Sequence, residues 1–183
     1  GQPEDQLRTP LLNLFKVFAE LTNKAGMVGL VGETSLAGMQ TRPHFAVTVG
    51  LGKAKALVAF VEVKAPGKGC DPRKFKDKHD KEQWAKLKAL PNLIYTDGNG
   101  FSLWQDGELI SLVDLDGDIE KDGAKLSAPS ALLALIDSFL GWSPIPPKNA
   151  HDLAVISARL CRFLRDEVVE QIGQKHPELT SLA

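Results

Sequence analysis

Two residues near the middle of the chain could do hydrolytic chemistry together: Glu62 and Lys64, in the run Val61-Glu62-Val63-Lys64. Metal-assisted phosphodiester cleavage needs hard oxygen ligands for a divalent cation, and a fixed positive charge that orients water or stabilises developing negative charge. A carboxylate and an ammonium supply one of each. Side chains two apart on a strand leave from the same face, so this spacing presents Glu62 and Lys64 together. Val63 then points into the core, with its carbonyl open as a further ligand. Taken alone, such a triplet is common, and its plainer reading is a Glu and a Lys on the solvated face of a half-buried strand.

The surrounding elements make the plainer reading less apt. Leu57 to Val63 is a strongly apolar strand, preceded by a second strand, Phe45 to Val49, and by a weaker one within 27–34. Leu7, Leu11, Leu14, Phe18 and Leu21 recur at helical spacing, which predicts an amphipathic helix over 3–22, with Pro10 starting or kinking its regular part. After Lys64 the turn-rich Ala65-Pro66-Gly67-Lys68-Gly69 leads to a polar helix with Trp84, Leu87 and Leu90 on one side. Three further strands follow, over 92–96, 101–105 and 108–113, the last two joined by a tight turn at Asp106-Gly107. An acidic loop over 114–122, a helix over 129–141, a break at Pro144 to Pro147 and a long amphipathic helix over 149–173 complete the chain. The order is αβββαβββ followed by helices, with a domain edge at 143/144. Trp84, Trp104 and Trp142 are expected to be packing residues rather than stacking platforms for bases.

This order, with Arg42-Pro43-His44-Phe45 before one strand, Glu62-Val63-Lys64 ending the next and Gln83 on the following helix, resembles the PD-(D/E)xK nuclease superfamily. More closely, Arg42 to Val47, Phe60 to Gly67, Asp80 to Trp84 and Pro91 to Gly98 are similar to the amino-terminal nuclease domain fused to N6-adenine DNA methyltransferases in restriction-modification enzymes, which defend against foreign DNA. The likeness covers nearly the whole chain. It implies an α/β (α+β) fold: a restriction-endonuclease-like mixed sheet flanked by helices, an αβββαβ core with an added hairpin, over residues 1–143. Residues 144–183 would be a Pro-rich linker and a long C-terminal helix leading to a downstream domain. It also implies hydrolysis of double-stranded DNA with Mg²⁺ or Mn²⁺, with downstream methylation and recognition domains as partners; severing both strands needs two active sites, which suggests a dimer on DNA. Glu62 would bind the metal, Lys64 would position the attacking water, and Gln83 would support the site.

One position departs from that pattern. Where the superfamily has Asp after the Pro, this chain has His44, which exchanges a hard anionic ligand for a neutral nitrogen. Removing a unit charge about 4 Å from its neighbour, at an effective dielectric near 20, weakens each unit-charge interaction by roughly 4 kcal/mol. Three consequences are open: manganese accepts the imidazole, Glu33 on the preceding strand supplies the missing carboxylate, or the domain keeps the fold and a basic face as an impaired DNA-binding or regulatory module. Glu20, near the end of the first helix, reads as a solvated residue. The last helix could instead have an interaction role, docking through its apolar stripe on the remainder of a longer chain.

Charge distribution says more than the sum. The chain carries a net −1, yet between Lys64 and Lys88 nine basic residues face four acidic ones, a local +5 that leaves −6 elsewhere. Phosphate contacts dominate sequence-independent affinity for DNA, so Lys68, Arg73, Lys74, Lys76 and Lys78 are the candidate contacts. Gly67 and Gly69 would let the backbone of this loop approach a phosphate.

Other motifs fail. Asp114, Asp116 and Asp118 begin like a calcium loop, but Ile119 stands where such a loop requires Gly. Cys70 and Cys161 are far apart and belong to no C-x-x-C pair, so neither a disulfide framework nor a zinc ribbon is expected. No apolar run is long enough for a membrane span and the first residues do not form a signal peptide, which suggests a cytoplasmic protein. A first residue that is not Met suggests a piece of a longer one.

Overall fold

The computed structural model describes residues 5–32, 43–50 and 56–143, and single helical positions between 150 and 165. The chain order is α1 (Asp5–Leu21), β1 (Val28–Gly32), β2 (Phe45–Val49), β3 (Ala56–Val63), α2 (Lys78–Leu87), β4 (Asn92–Thr96), β5 (Gly100–Gln105), β6 (Glu108–Asp114), α3 (Ile119–Asp122) and α4 (Ser130–Leu140). The six strands form one sheet in sequential order. β1, β2 and β3 are antiparallel neighbours, as are β4, β5 and β6; β3 and β4 run parallel, joined through α2. A parallel pair needs a crossover rather than a hairpin, and the α2 segment supplies it. The result is the mixed sheet flanked by helices implied by the family resemblance.

Strand alternation divides the sheet into two cores. On one face Val47, Ala59, Val61, Val63, Ile94 and Leu103 pack against α1 and α4. Helix α1 contributes Leu7, Leu11, Phe15 and Phe18, and α4 contributes Leu132, Leu135, Ile136 and Phe139, with the Phe15 and Phe139 rings 5.8 Å apart. Leu21, expected in the α1 stripe, is exposed in the last turn, and Phe15 takes its share of the face. Pro10 neither starts α1 nor ends it; the helix continues through it. On the other face Ala46, Phe60, Leu93, Tyr95 and Trp104 meet Phe75, Leu87 and Leu90. Each fully buried Val, Leu, Ile or Phe among them contributes about 1.5–3 kcal/mol from its apolar area.

Two local devices shape the sheet. Asn92, fully buried at the start of β4, donates through Nδ2 to the carbonyls of Val58 on β3 and Phe139 on α4. The β5–β6 hairpin turns through Asp106 and Gly107, both at positive φ, as a type I′ turn requires. The expected acidic loop over 114–122 is more ordered than its composition suggested: Asp114 closes β6, and Asp118 caps α3 by accepting from the amides of Glu120 and Lys121. The cap outweighs the loop composition because it satisfies helix amides that would otherwise lack acceptors. Trp104 is core, and Trp84 and Trp142 are half-buried against the two cores. The break at Pro144 to Pro147 and most of the helix expected over 149–173 lie outside the described residues.

Candidate active site at the end of β3

β3 carries Glu62 onto the face covered by α2, one register step before the strand ends. Glu62 stands opposite Tyr95 of β4, and the Lys64 amide donates to the Thr96 carbonyl at 2.8 Å, which keeps Lys64 in line with the sheet. Both charged side chains are enclosed: Glu62 is 0% exposed and Lys64 5%. Buried charges persist only when paired. The Lys64 ammonium donates to Asp80 Oδ1 at 2.9 Å and to Gln83 Oε1, and lies 3.3 Å from Glu62 Oε1. Asp80 and Gln83 are three apart on α2 and so share one helix face. Asp77 starts that helix, its carboxylate accepting from the amides of His79 and Asp80.

His44 approaches from the other side. Because the Lys64 amide points to β4, the Val63 amide points to β2, where it meets His44 Nδ1 at 3.2 Å. The Val63 carbonyl opens toward the same edge, since N–H and C=O of one strand residue point the same way. His44 Nδ1 also lies 3.2 Å from Glu62 Oε2. One imidazole nitrogen serves only one of these neighbours at a time: unprotonated it accepts the Val63 amide, protonated it donates to Glu62. In the first state its lone pair and a carboxylate oxygen confront each other. Glu62 Oε1, despite its closeness to Lys64, accepts no well-directed hydrogen bond.

Two buried groups here were not singled out by sequence. Tyr95 has an enclosed hydroxyl without a hydrogen-bond partner, and burial, with the nearby carboxylates of Glu62 and Asp80, pushes its pKa well above the ordinary phenol value. Asp80 also binds Lys68 Nζ at 2.7 Å through Oδ2. Burial by itself would raise the Asp80 carboxyl, but the hydrogen bonds from Lys68 and Lys64 outweigh it and hold it below the ordinary aspartate range. The spacing Asp80-x-x-Gln83 was the available sequence signal, hidden within a run of charges.

The basic loop that follows is built rather than loose. Ala65 to Lys68 form a turn in which the Lys68 amide donates to the Ala65 carbonyl at 3.0 Å, with Pro66 and Gly67 at its centre and Gly67 at φ +78°. This is the position where a type II turn demands glycine. The Gly69 amide then donates to Asp97 Oδ2 at 2.8 Å, while Asp97 Oδ1 accepts from the amides of Asn99 and Gly100. Lys68 and Lys64 both sit near the Phe75 ring, at 6.0 and 5.8 Å from its centroid. The Arg73 guanidinium lies over Trp104 at 5.0 Å and donates two hydrogen bonds to Asp71, and the Arg73 amide donates a third; Lys74 Nζ is 3.7 Å from the same carboxylate. The Asp71 carboxyl is held below its ordinary value, chiefly by the hydrogen bond from Arg73. Lys76 and Lys78 are exposed, and Lys78 pairs loosely with Glu82.

Of the residues expected to act, Glu62, Lys64, His44, Gln83 and the Val63 backbone therefore converge, and Lys68 adjoins them. Arg73, Lys74, Lys76 and Lys78 lie along the segment that leads into α2. Glu20 is exposed on α1, which packs on the opposite face of the sheet. Glu33 lies outside the described residues. Among the described residues, no three His, Cys, Asp or Glu side chains form a group that could hold a metal ion. No helix among them is long and apolar enough to cross a membrane.

No protein-family model matches the chain, and no curated protein matches it. Among solved structures, a cryo-EM structure of a DrdV–DNA complex is similar over 77% of this chain, at 20% identity and a TM-score of 0.49. The chain spans 12% of the length of that protein.

Proposed function

We propose that this chain is a divalent-metal-dependent DNA endonuclease domain, of the kind found in restriction-modification enzymes fused to an adenine methyltransferase. The observation that supports it is the convergence of Glu62, Lys64, Gln83 and His44 at one end of β3, all but Gln83 deeply buried, beside a basic loop. A structural ion pair has little need of such a collection, because burying charge costs free energy that well-packed apolar residues avoid.

The donor set suits a particular kind of cation. Glu62 offers an oxygen without a hydrogen bond and a second oxygen facing His44 Nδ1, and the Val63 carbonyl opens to the same edge. One carboxylate, one carbonyl and one imidazole nitrogen, which would have to give up the Val63 amide to bind a cation, favour manganese over magnesium, in a shell completed by water and by phosphate oxygens. Such an ion would supply Lewis-acid polarisation of the phosphate and lower the pKa of a bound water.

The protein's own groups do the rest. Lys64 is paired with two carboxylates and kept in place by Gln83, and its weakest contact, toward Glu62, leaves one N–H direction able to orient a water for in-line attack on phosphorus. Its charge also opposes the negative charge that builds on the phosphoryl oxygens. Lys68 stands at the entrance, 42% exposed, where a backbone phosphate would pass. Outside this site, Arg73, Lys74, Lys76 and Lys78 extend the positive surface along the duplex. The methyltransferase and recognition functions would belong to other parts of the same polypeptide, and cutting both strands would bring two copies together on DNA.

A second reading follows from Glu62 being, among the described residues, the one carboxylate beside His44, since Asp80 is taken up by Lys64 and Lys68: a DNA-binding module that keeps this fold without cutting. Plasmid nicking in Mg²⁺ and in Mn²⁺ separates the two. The endonuclease reading expects wild type to nick, better in Mn²⁺, and Lys64→Ala to lose at least a hundredfold. Nicking that survives Lys64→Ala overturns the assigned mechanism, whereas a silent wild type rescued by His44→Asp favours a nuclease fold that no longer cuts.

A further inference from the structure

Among the described residues, Asp80 is the one carboxylate in this region seen to touch two lysines with different exposures. Its Oδ1 meets Lys64 at 2.9 Å and its Oδ2 meets Lys68 at 2.7 Å, while the carboxylate itself is 7% exposed. Lys64 is enclosed in the site; Lys68 reaches the surface on a turn fixed by Pro66 and Gly67 and by the Gly69 bond to Asp97. The two ammonium groups also share the Phe75 ring, so neither has far to move.

We propose that Asp80 is a positioning residue that links phosphate contact to the setting of Lys64: it shares one carboxylate between Lys64 and Lys68, and yields Lys68 when a DNA backbone phosphate takes it. The inference rests on the endonuclease reading for the role of Lys64, but its binding half stands apart from cleavage. The pair with Lys68 is the exchangeable one, because a partly exposed lysine in water trades one anionic oxygen for another at little cost, whereas Lys64, 5% exposed, is too shielded from bulk solvent to give up Asp80 cheaply. After the exchange Asp80 serves Lys64 alone. The duplex is therefore gripped at the same step that concentrates the α2 carboxylate on the acting lysine.

A double-mutant cycle tests this, using the chain as it stands and a fluorescent duplex whose anisotropy is read without divalent metal. Asp80→Asn, similar in shape, is expected to tighten DNA binding at least threefold by releasing Lys68. The same substitution in a Lys68→Ala background is expected to tighten it little. Equal tightening in both backgrounds means that only net charge matters, and overturns the proposal, as does any weakening by Asp80→Asn alone.

Cleavage kinetics give the second half. Asp80→Asn should lower kcat tenfold or more without raising KM, and Asp80→Glu should recover part of that loss. A fall in kcat that tracks a fall in melting temperature indicates a merely structural role and overturns the proposal. Should wild type not cut at all, the endonuclease reading fails, and the binding cycle alone decides whether Asp80 restrains Lys68. Should Asp80→Asn not fold, Lys68→Ala still decides: it is expected to make the dependence of log affinity on log salt shallower by about 0.9, one phosphate contact. An unchanged slope overturns the proposal.

Discussion

Glu62 and Tyr95, opposite one another on β3 and β4, place two polar atoms in the core with no hydrogen-bond partner: a carboxylate oxygen and a phenol hydroxyl. A buried polar group left unmade costs about 1–3 kcal/mol, so a fold keeps one only when something else uses it. Tyr95→Phe removes the hydroxyl and little else. It is expected to leave the melting temperature unchanged or raise it, by a gain of up to about 1 kcal/mol; a loss of that size would show that the hydroxyl binds a water or substrate oxygen. Asp71 gives a residue-scale prediction on pH. Its folded carboxyl is held below the ordinary value of 3.8, chiefly by Arg73, so its contribution is complete above that value and is lost as pH falls through the lower folded one. Thermal melts of wild type and Asp71→Asn should therefore differ by a constant amount from roughly pH 5 to 8 and converge below about pH 4.

At the scale of elements, the site depends on three pieces meeting: the end of β3, the face of α2 and the loop between them. Asp97 fixes the loop. Almost fully buried, it accepts the amides of Gly69, Asn99 and Gly100, binding the basic loop to the β4–β5 turn. Asp97→Ala leaves these donors without their acceptor and should destabilise the chain by about 3 kcal/mol. Limited proteolysis should then cut first within 65–71, whereas a cut pattern like wild type would show that the loop holds without Asp97. Helix α2 is fixed mostly by apolar contact, since Leu87 is fully buried. Leu87→Ala should cost about 2–5 kcal/mol in denaturant unfolding, and should lower activity only as far as α2 shifts Asp80 and Gln83.

For the whole molecule, the segregation of +5 charge between Lys64 and Lys88 from −6 elsewhere matters more than the total. Ion pairs reduce the patch: Asp71 engages Arg73 and Lys74, and Asp80 engages Lys64 and Lys68. DNA affinity is thus expected to be moderate and salt-dependent, falling on the order of tenfold to a hundredfold between about 50 and 200 mM salt. Affinity that does not move with salt would remove this face as a phosphate surface.

The elements themselves were legible in the sequence because their signals are local: the short apolar, β-branched runs Phe45 to Val49 and Leu57 to Val63, and the turn residues Pro66-Gly67 and Asp106-Gly107, mark strands and turns without distant partners. The Glu62/Lys64 pair was legible for the same reason, as two residues on a strand must share a face. Asp80 was not, since nothing local separates it from Asp77 and Glu82 in the same charge run. Only the rotation of α2 over β3 turns Asp80 inward to Lys64, leaves Asp77 as the helix cap and leaves Glu82 in solvent. The same holds for His44, whose residue type was plain in the sequence. That its Nδ1 lies between the Val63 amide and Glu62 depends on the β2–β3 register, a relation between strands that no single segment encodes.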